Sequence, residues 1–309
     1  MTGRAAVYSV RRQQRLARRR SLPWSLRQPL PRAAVFGASL LGALALAACS
    51  GLANLGAPDS DTPPPPSQSN LASLTEVIQK HPDDPQAYNM RGSVFADSGD
   101  ADAALADFNK AISLDANYAQ AYANRGLLYR QSSKPDLAIA DYNRALSIDA
   151  NYATAYVGRA IVYRQQGNST QALADFNKAI ALRPDNAQAY YNRGLLYQSQ
   201  RQYQFAVDDF TTGLGLTNQQ AELFVARALS YLALSDAKSA ASDLDEAVQL
   251  QPQNLQAWAS RGLAYERLGQ KDKAAGSYAK ALNINGAYEP AKAGFARVGG
   301  KAGQSYQTF

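Results

Sequence analysis

The chain has 309 residues, of which 18% are charged, and its formal net charge at pH 7 is +7. The positive charge lies at one end, because residues 1–48 contribute about +9 and the rest of the chain about −2. The part of the chain after residue 48 has no cluster of basic residues that could bind a nucleic-acid phosphate backbone, so no nucleic-acid partner is predicted. The single histidine, His81, and the single cysteine exclude ordinary metal centres and thiol catalysis. The sequence therefore predicts no enzymatic activity, no catalytic residue, no metal and no cofactor.

Residues 1–48 have the three parts of a secretory signal peptide. Residues 1–32 hold nine arginines and no acidic residue, and residues 33–48 (AAVFGASLLGALALAA) are apolar throughout. This apolar stretch is a few residues short of the roughly 20 that span a bilayer. A basic region, a short apolar core and small residues before a cleavage point predict a signal peptide that is removed from the mature protein.

The residues Leu46-Ala47-Ala48-Cys49 are similar to the lipobox of bacterial lipoproteins. This resemblance implies cleavage before Cys49, acylation of its new amino group and attachment of a diacylglycerol to its sulfur. Several lipid chains together hold a protein firmly to a membrane. The alternative is a buried or accidental cysteine behind an uncleaved signal anchor. Ser50 is compatible with sorting to the outer membrane, so we expect a lipid-anchored protein that faces the periplasm.

A tether follows the cysteine. Residues 49–70 are rich in proline and serine and include four consecutive prolines at 63–66. Such a composition buries too little apolar surface to fold and acts as a semi-extended spacer. We therefore expect the lipidated segment 49–70 to hold the rest of the chain away from the membrane.

Residues 85–288 consist of six contiguous 34-residue repeats, at 85–118, 119–152, 153–186, 187–220, 221–254 and 255–288. Counted within each repeat, positions 4 and 11 are aromatic, position 8 is glycine or alanine, position 20 is alanine, position 24 is aromatic or leucine, and position 27 is alanine or glycine. Positions 4, 8 and 11 share one face of a first helix, and positions 20, 24 and 27 share one face of a second. A single helix pair cannot bury its apolar face alone, so the pairs are expected to stack.

This pattern of aromatic and small residues resembles the tetratricopeptide repeat (TPR). The resemblance implies an all-α fold, a right-handed TPR superhelix of six contiguous 34-residue helix-turn-helix repeats with capping helices. In this family the first helices line a concave groove. Residues 71–84, with the helical stretch LASLTEVIQK at 71–80, are expected to cap the first repeat, and residues 289–309 are expected to form a C-terminal capping helix at 289–297 and a tail.

Two further columns of the repeats are charged. Position 7 is arginine in all six repeats, whereas position 23 is aspartate in the first five and serine, Ser277, in the sixth. If each arginine paired within its own repeat, Arg261 would lack a partner. Alternatively, each aspartate pairs with the arginine 18 residues later, in the next repeat. The sixth repeat would then need no aspartate, because Phe295 stands where a seventh arginine would lie, and Ser277 is explained. The sequence therefore predicts five inter-repeat ion pairs that fix how the repeats stack: Asp107–Arg125, Asp141–Arg159, Asp175–Arg193, Asp209–Arg227 and Asp243–Arg261. The alternative is that these arginines bind an acidic ligand.

The outward face of the first helices predicts the protein-binding site. Positions 5, 9 and 12 form a largely aliphatic track with some cationic residues beside it, which suits an extended or helical protein segment with apolar anchors. The alternative is that the track makes contacts between neighbouring first helices. The predicted groove residues are Leu127, Arg130, Val157, Ile161, Arg164, Tyr191, Leu195, Val225, Leu229 and Leu263.

Repeat 4 departs furthest from the common pattern. It carries Gly213 and Gly215 in its second helix and Asn218 after it. Glycine within a helix costs about 1 kcal/mol relative to alanine. We therefore expect the joint after repeat 4 to be the least stable one and to act as a hinge.

The sequence predicts a membrane-anchored scaffold or adaptor that binds other proteins in the bacterial periplasm. It resembles the NlpI type of outer-membrane TPR lipoprotein, which implies a homodimer and a role in cell-wall turnover or envelope proteolysis. A second hypothesis is a structural assembly subunit of a secretion, pilus or outer-membrane insertion complex. An adaptor occurs in several substoichiometric complexes, whereas an assembly subunit occurs in one complex at a fixed ratio.

Overall fold

The computed structural model describes residues 68–217, 220–301, 303 and 306. In these residues all regular structure is helical and arranged in contiguous helix-turn-helix repeats, which confirms the predicted fold class. The helices are α1 (Gln68–Lys80), α2 (Pro85–Asp97), α3 (Ala101–Leu114), α4 (Ala119–Gln131), α5 (Pro135–Ile148), α6 (Ala153–Gln165), α7 (Ser169–Leu182), α8 (Ala187–Ser199), α9 (Tyr203–Leu216), α10 (Ala221–Ala233), α11 (Ala237–Leu250), α12 (Leu255–Arg267), α13 (Lys271–Ile284) and α14 (Glu289–Arg297). The first helices of the six repeats are therefore α2, α4, α6, α8, α10 and α12.

The turn within each repeat reverses the chain at position 15, where the backbone is left-handed. Glycine supplies this conformation in three repeats, at Gly99, Gly167 and Gly269 with φ of 86°, 78° and 73°. The other three repeats adopt it with Ser133, Arg201 and Ser235, at φ of 56°, 60° and 66°. Since only glycine enters this region without steric cost, three of the six turns are made by less suited residues.

Close approach of the two helices in a repeat depends on the small residue at position 8. A Cβ atom built on Gly92, Gly126, Gly194 or Gly262 would lie 2.6–3.2 Å from the nearest carbon of the ring at position 24 of the same repeat. Real Cβ contacts are rarely or never this short, so a side chain at any of these four glycines would require the ring or the helices to shift. The pattern of rings against small residues, which was read from the sequence, therefore describes the interior of each helix pair.

The stack curves with the first helices on its inner side. Each first helix contacts the first helix of the next repeat, from α2 and α4 through to α12 and α14. Among the described residues, successive second helices such as α3 and α5 make no such contact. Because the first helices are closer together than the second helices, the exposed face of the first helices is the concave side.

Additional helices cover both ends of the repeats. The helix α1 begins at Gln68, three residues before the predicted start, and ends at Lys80 as predicted. The last helix, α14, has the predicted bounds and packs over Tyr278 of the sixth repeat, where a Cβ on Gly294 would lie 2.2 Å from the ring. None of the helices in the described residues is both long enough and apolar enough to span a bilayer.

The structure gives a packing reason for Gly213 in repeat 4. The helix α9 continues through both glycines to Leu216. A Cβ on Gly213 would lie 3.1 Å from a methyl group of Leu223, which is fully buried at the start of α10. The other repeats place alanine at both of these positions, so a larger residue on one helix is matched by a smaller one on its neighbour. The hinge after repeat 4 stays a prediction, but Gly213 is a close-packing residue.

Candidate functional site

The inter-repeat pairing predicted for the arginine and aspartate columns is wrong. In the first five repeats each arginine instead binds the aspartate of its own repeat, 16 residues later, with two hydrogen bonds of 2.7–2.8 Å from Nε and Nη2. The pairs are Arg91–Asp107, Arg125–Asp141, Arg159–Asp175, Arg193–Asp209 and Arg227–Asp243. They replace the predicted series from Asp107–Arg125 to Asp243–Arg261. The ion pairs therefore join the two helices of one repeat.

Two aromatic rings on the first helix lie beside each of these guanidinium groups. Every position-7 guanidinium lies 4.8–5.9 Å from the ring centroids of the residues at positions 4 and 11 of its own helix. Cation–π attraction over these distances holds the planar group beside the rings. The planar guanidinium then presents two N–H groups to one carboxylate.

The remaining Nη1 of the same arginines makes the link between repeats. It donates to a neutral side chain at position 25 of the preceding repeat, 16 residues earlier. The acceptors are Thr75 in α1 for Arg91, Asn109 for Arg125, Asn143 for Arg159, Asn177 for Arg193 and Thr211 for Arg227, at 2.6–3.3 Å. Sequence reasoning missed this column of hydrogen bonds, although its regular occupation by Asn or Thr was visible in the sequence.

The sixth repeat exchanges the two roles. Asp245 stands at position 25 of the fifth repeat, and its carboxylate accepts a 2.6 Å hydrogen bond from Arg261 Nε. Ser277 accepts from Arg261 Nη1 at 2.9 Å in the place where other repeats have aspartate. Arg261 therefore has a carboxylate partner in the preceding repeat. Within the described part of the chain, the one inter-repeat ion pair of this column is Asp245–Arg261, where Asp243–Arg261 was predicted.

The hydrogen bond to the aspartate also raises the pKa of Arg91, Arg125, Arg159 and Arg227, against burial, which lowers it. These arginines are charged, paired and mostly enclosed. They hold the repeats together. Because each guanidinium in these pairs is already bound to an aspartate, the pairs do not support the alternative that these arginines bind an acidic ligand.

The predicted groove residues fall into two groups. Val157, Ile161, Tyr191 and Val225 are buried, and they contribute to the packing between neighbouring helices. Leu127 is 38% exposed, and Leu195, Leu229, Leu263, Arg130 and Arg164 are half-buried. Both sequence interpretations of the track therefore apply, each to part of it. The accessible apolar surface is greatest at Leu127 in repeat 2.

Polar side chains join consecutive first helices along the same face. Asn124 donates to the buried amide oxygen of Asn89 at 3.0 Å, in the first two repeats. Gln198 donates to the backbone oxygen of Ala226 and to Ser230 Oγ, both at 2.7 Å, between repeats 4 and 5. These contacts fix α2 relative to α4, and α8 relative to α10.

Cys49, the predicted lipid attachment residue, lies outside the described residues, as does the whole signal and tether segment up to residue 67. Within the described part of the chain, no group of histidine, cysteine, aspartate and glutamate side chains is placed to hold a metal ion.

A stack of helix pairs with one exposed concave face defines a helical repeat scaffold for protein interactions. Models of the tetratricopeptide repeat match at 119–152, 187–220 and 225–290, and a model described as TPR repeat matches at 92–133 and 160–201. Together these matches cover more than half of the chain. The chain therefore belongs to the tetratricopeptide repeat family. Among curated proteins, no sequence matches it.

Several solved structures share the fold. A structure of PilF from Pseudomonas aeruginosa is 20% identical, with a TM-score of 0.64, and the match covers 69% of this chain and 97% of PilF. PilW, a type IV pilus biogenesis factor, is 20% identical with a TM-score of 0.55, over 60% of this chain and 86% of PilW. A chain of the APC/C hetero-tetramer Cut9–Hcn1 is 16% identical with a TM-score of 0.65; the match covers 75% of this chain but only 46% of that larger one.

Proposed function

We propose that this protein is a lipid-anchored TPR adaptor, without enzymatic activity, that binds protein partners on the concave face of its first helices. The observation that carries this proposal is the exposed Leu127 on that face, 38% accessible, with the half-buried Arg130 one helical turn away. An exposed apolar residue beside a cation is suited to a protein segment with an apolar anchor and polar neighbours.

The compartment follows from the sequence alone. The signal peptide and the lipobox-like motif before Cys49 support export to the periplasm and anchoring in the outer membrane, with the tether 49–70 as spacer. A role in cell-wall turnover or envelope proteolysis, and a homodimer, belong to the same proposal through the resemblance to NlpI-type lipoproteins. Replacement of Cys49 by serine is expected to move the protein from the membrane fraction to the soluble fraction, and an unchanged distribution would contradict the anchor.

A structural subunit of a pilus or secretion assembly is the second candidate. One observation favours it: PilW is named as a type IV pilus biogenesis factor, and PilF has nearly its whole length matched by this chain. At 20% identity these likenesses establish the fold alone. The experiment below therefore distinguishes the assembly subunit from the adaptor.

The test is an in-cell crosslink and capture of the full-length protein, compared with two variants. Leu127→Glu places a charge on the concave face without burying it. Leu137→Glu is the matched control, because Leu137 is 48% exposed on the second helix of the same repeat. We expect several partners at substoichiometric levels, lost with Leu127→Glu and retained with Leu137→Glu. Capture of one complex at a fixed ratio, unaffected by Leu127→Glu, would support the assembly subunit and overturn the adaptor.

A further inference from the structure

A groove opens on the convex side of the stack, between the second helices of repeats 5 and 6. Those helices, α11 and α13, make no direct contact, whereas α12 packs against both and forms the floor. A hollow of about 490 Å³ lies at Trp258 of α12, and Pro252 and Ile284 are part of its lining. Pro252 is exposed and Ile284 is half-buried, so the apolar lining is accessible from outside. The volume is within the range of ligand pockets, about 300–1,000 Å³.

The equivalent place between repeats 1 and 2 is bridged by an arginine. Arg144 of the second repeat lies 5.7 Å from the ring centroid of Tyr122 and donates to the backbone oxygen of Ala116 in the first repeat at 3.1 Å. It also donates to Ser147 Oγ at 3.5 Å. A side chain of the protein itself therefore occupies the groove at that joint.

The same positions between repeats 5 and 6 leave the groove open. Lys280 stands in place of the longer arginine, and Trp258 Nε1 already donates to the backbone oxygen of Pro252 at 2.8 Å. Four exposed polar side chains line the hollow and make no hydrogen bond or ion pair within the part of the chain that the structure describes: Gln249, Gln253, Lys280 and Asn283. An apolar hollow surrounded by polar groups without partners has the composition of a ligand pocket.

A smaller hollow of about 180 Å³ lies beside the first, near the start of α13, and Gln249 lines both. Here the carboxylate of Asp245 accepts hydrogen bonds from Arg261 Nε and from the Tyr265 hydroxyl. The amine of Lys273 lies 5.0 Å from the centroid of the Tyr265 ring, and it has no ion-pair partner among the described residues. The one carboxylate that lines this hollow is therefore already balanced by Arg261.

Two unbalanced cations remain in the lining of the groove, Lys273 and Lys280, both on α13. We propose that the groove between α11 and α13 binds an extended, acidic segment of a partner protein, with one bulky apolar side chain in the hollow at Trp258. The lysines are seven residues apart in the chain. Since seven residues span about 10 Å of a helix and an extended chain rises about 3.3 Å per residue, a carboxylate about three residues from the apolar side chain reaches Lys273.

This surface lies apart from the concave face that carries Leu127, because it is formed on the side of the second helices. A segment bound in the convex groove leaves the concave face accessible. The protein then holds two partners at once, one on each side of the stack, which goes beyond the single binding face of the proposed adaptor.

The probe is a library of random 12-residue peptides displayed on phage and selected on the full-length protein in detergent. We expect selected peptides to carry one bulky apolar residue and an aspartate or glutamate about three residues from it. Synthetic copies should bind the Asn283→Phe variant at least about tenfold more weakly, because the ring fills the hollow from an exposed position. Lys280→Glu should also weaken binding, by charge reversal. The matched controls are Ala181→Phe and Lys178→Glu, at the same exposed positions of repeat 3, and both should leave binding unchanged.

A crosslink locates the bound peptide. A photoreactive benzoylphenylalanine in place of Gln253 should attach to it, whereas the same group in place of Leu127 should not. If Asn283→Phe lowers the melting temperature, the comparison of Lys280→Glu with Lys178→Glu decides the matter.

The proposed groove is overturned by any of four results: no selected peptide, peptides without the apolar and acidic pair, full affinity in the groove variants, or attachment at residue 127. The concave face is tested separately, by the loss of in-cell partners with Leu127→Glu.

Discussion

The guanidinium group of Arg159 and the carboxylate of Asp175 form a two-pronged ion pair, with hydrogen bonds of 2.7 and 2.8 Å, inside a single repeat. The same guanidinium donates to Asn143 in the preceding repeat at 2.6 Å. One arginine therefore joins the two helices of its own pair with a charged contact and links them to the preceding pair with a neutral one. The first five repeats use the same arrangement, so this part of the stack is held by a recurring unit of three residues.

The pairing within a repeat predicts a specific pattern of energetic coupling. Asp175→Asn is expected to destabilise the protein by about 2–4 kcal/mol, because it leaves a mostly enclosed guanidinium without its carboxylate. A double-mutant cycle between Asp175→Asn and Arg159→Gln should give a coupling of about 1–3 kcal/mol. The cycle with Arg193→Gln should give a value near zero. Urea unfolding measures both couplings, and a larger coupling to Arg193 would support the inter-repeat ion pairs predicted from the sequence.

Arg261 of the sixth repeat takes its carboxylate partner, Asp245, from the preceding repeat, and this predicts that a carboxylate at Ser277 can replace it. Arg261 is only 2% exposed, so Asp245→Asn should cost about 2–4 kcal/mol by removing its charged partner. Adding Ser277→Asp should recover more than half of this loss, because it supplies the carboxylate at the place that the other five repeats use. Thermal and urea unfolding of the single and double variants provide the measurement. If Ser277→Asp adds a further loss in the Asp245→Asn background, the equivalence of the two places is wrong.

The contact between Gly213 and Leu223 predicts a second non-additive pair. Leu223→Ala should cost about 2–5 kcal/mol, because the side chain is fully buried and leaves a cavity. Gly213→Ala alone should be close to neutral, since about 1 kcal/mol of helix propensity is offset by the tight contact with Leu223. In the Leu223→Ala background, Gly213→Ala should stabilise the protein by about 1 kcal/mol or more. Strictly additive effects would show that the two residues do not compensate each other.

The buried hydroxyl of Tyr142 predicts a difference at alkaline pH. Burial raises the pKa of Tyr142 from 10.0 to about 12, and the positive charge of Arg130 opposes this shift. The unfolded chain therefore loses the proton first, so stability is full below pH 10 and is lost as the pH rises from there towards 12. Tyr142→Phe should be nearly neutral at pH 7, because Phe108, Phe176 and Phe210 fill the same position in other repeats.

Between pH 10 and 12 the wild-type protein should lose about 1–3 kcal/mol more than the Tyr142→Phe variant. Urea titrations of both proteins across this range give the comparison. Parallel stability curves would mean that the Tyr142 hydroxyl ionises as freely in the folded protein as in the unfolded chain.

The helical architecture was predictable because it depends on local spacing. Rings and small residues recur at intervals of three and four, and any chain that buries them as helices must place them on one face of each helix. For the same reason α14 has the predicted bounds, and α1 differs only at its start. The sequence did not predict that Ser133, Arg201 and Ser235 adopt left-handed backbone conformations in the turns. Glycine is the residue whose presence indicates that conformation, and these three positions have none.

The candidate site was predicted less completely. The sequence identified the outward face of the first helices, but it did not separate Leu127, which is exposed, from Val157, which is buried. That separation depends on how closely the neighbouring helix approaches. Likewise, the columns of arginine and aspartate fit either pairing direction. Asp245, which supplies the carboxylate for Arg261, lies at position 25, a column that the predicted inter-repeat ion pairs did not include.

The sequence by itself determined the repeat length, the number of repeats, the faces that pack within each helix pair and the class of fold, since these follow from the periodicity of side chains along single helices. Tertiary structure decided which arginine meets which aspartate and which groove residues remain accessible. The physical reason is that these contacts join different helices. Their geometry is set by helix packing, and residue spacing along the chain does not specify that geometry.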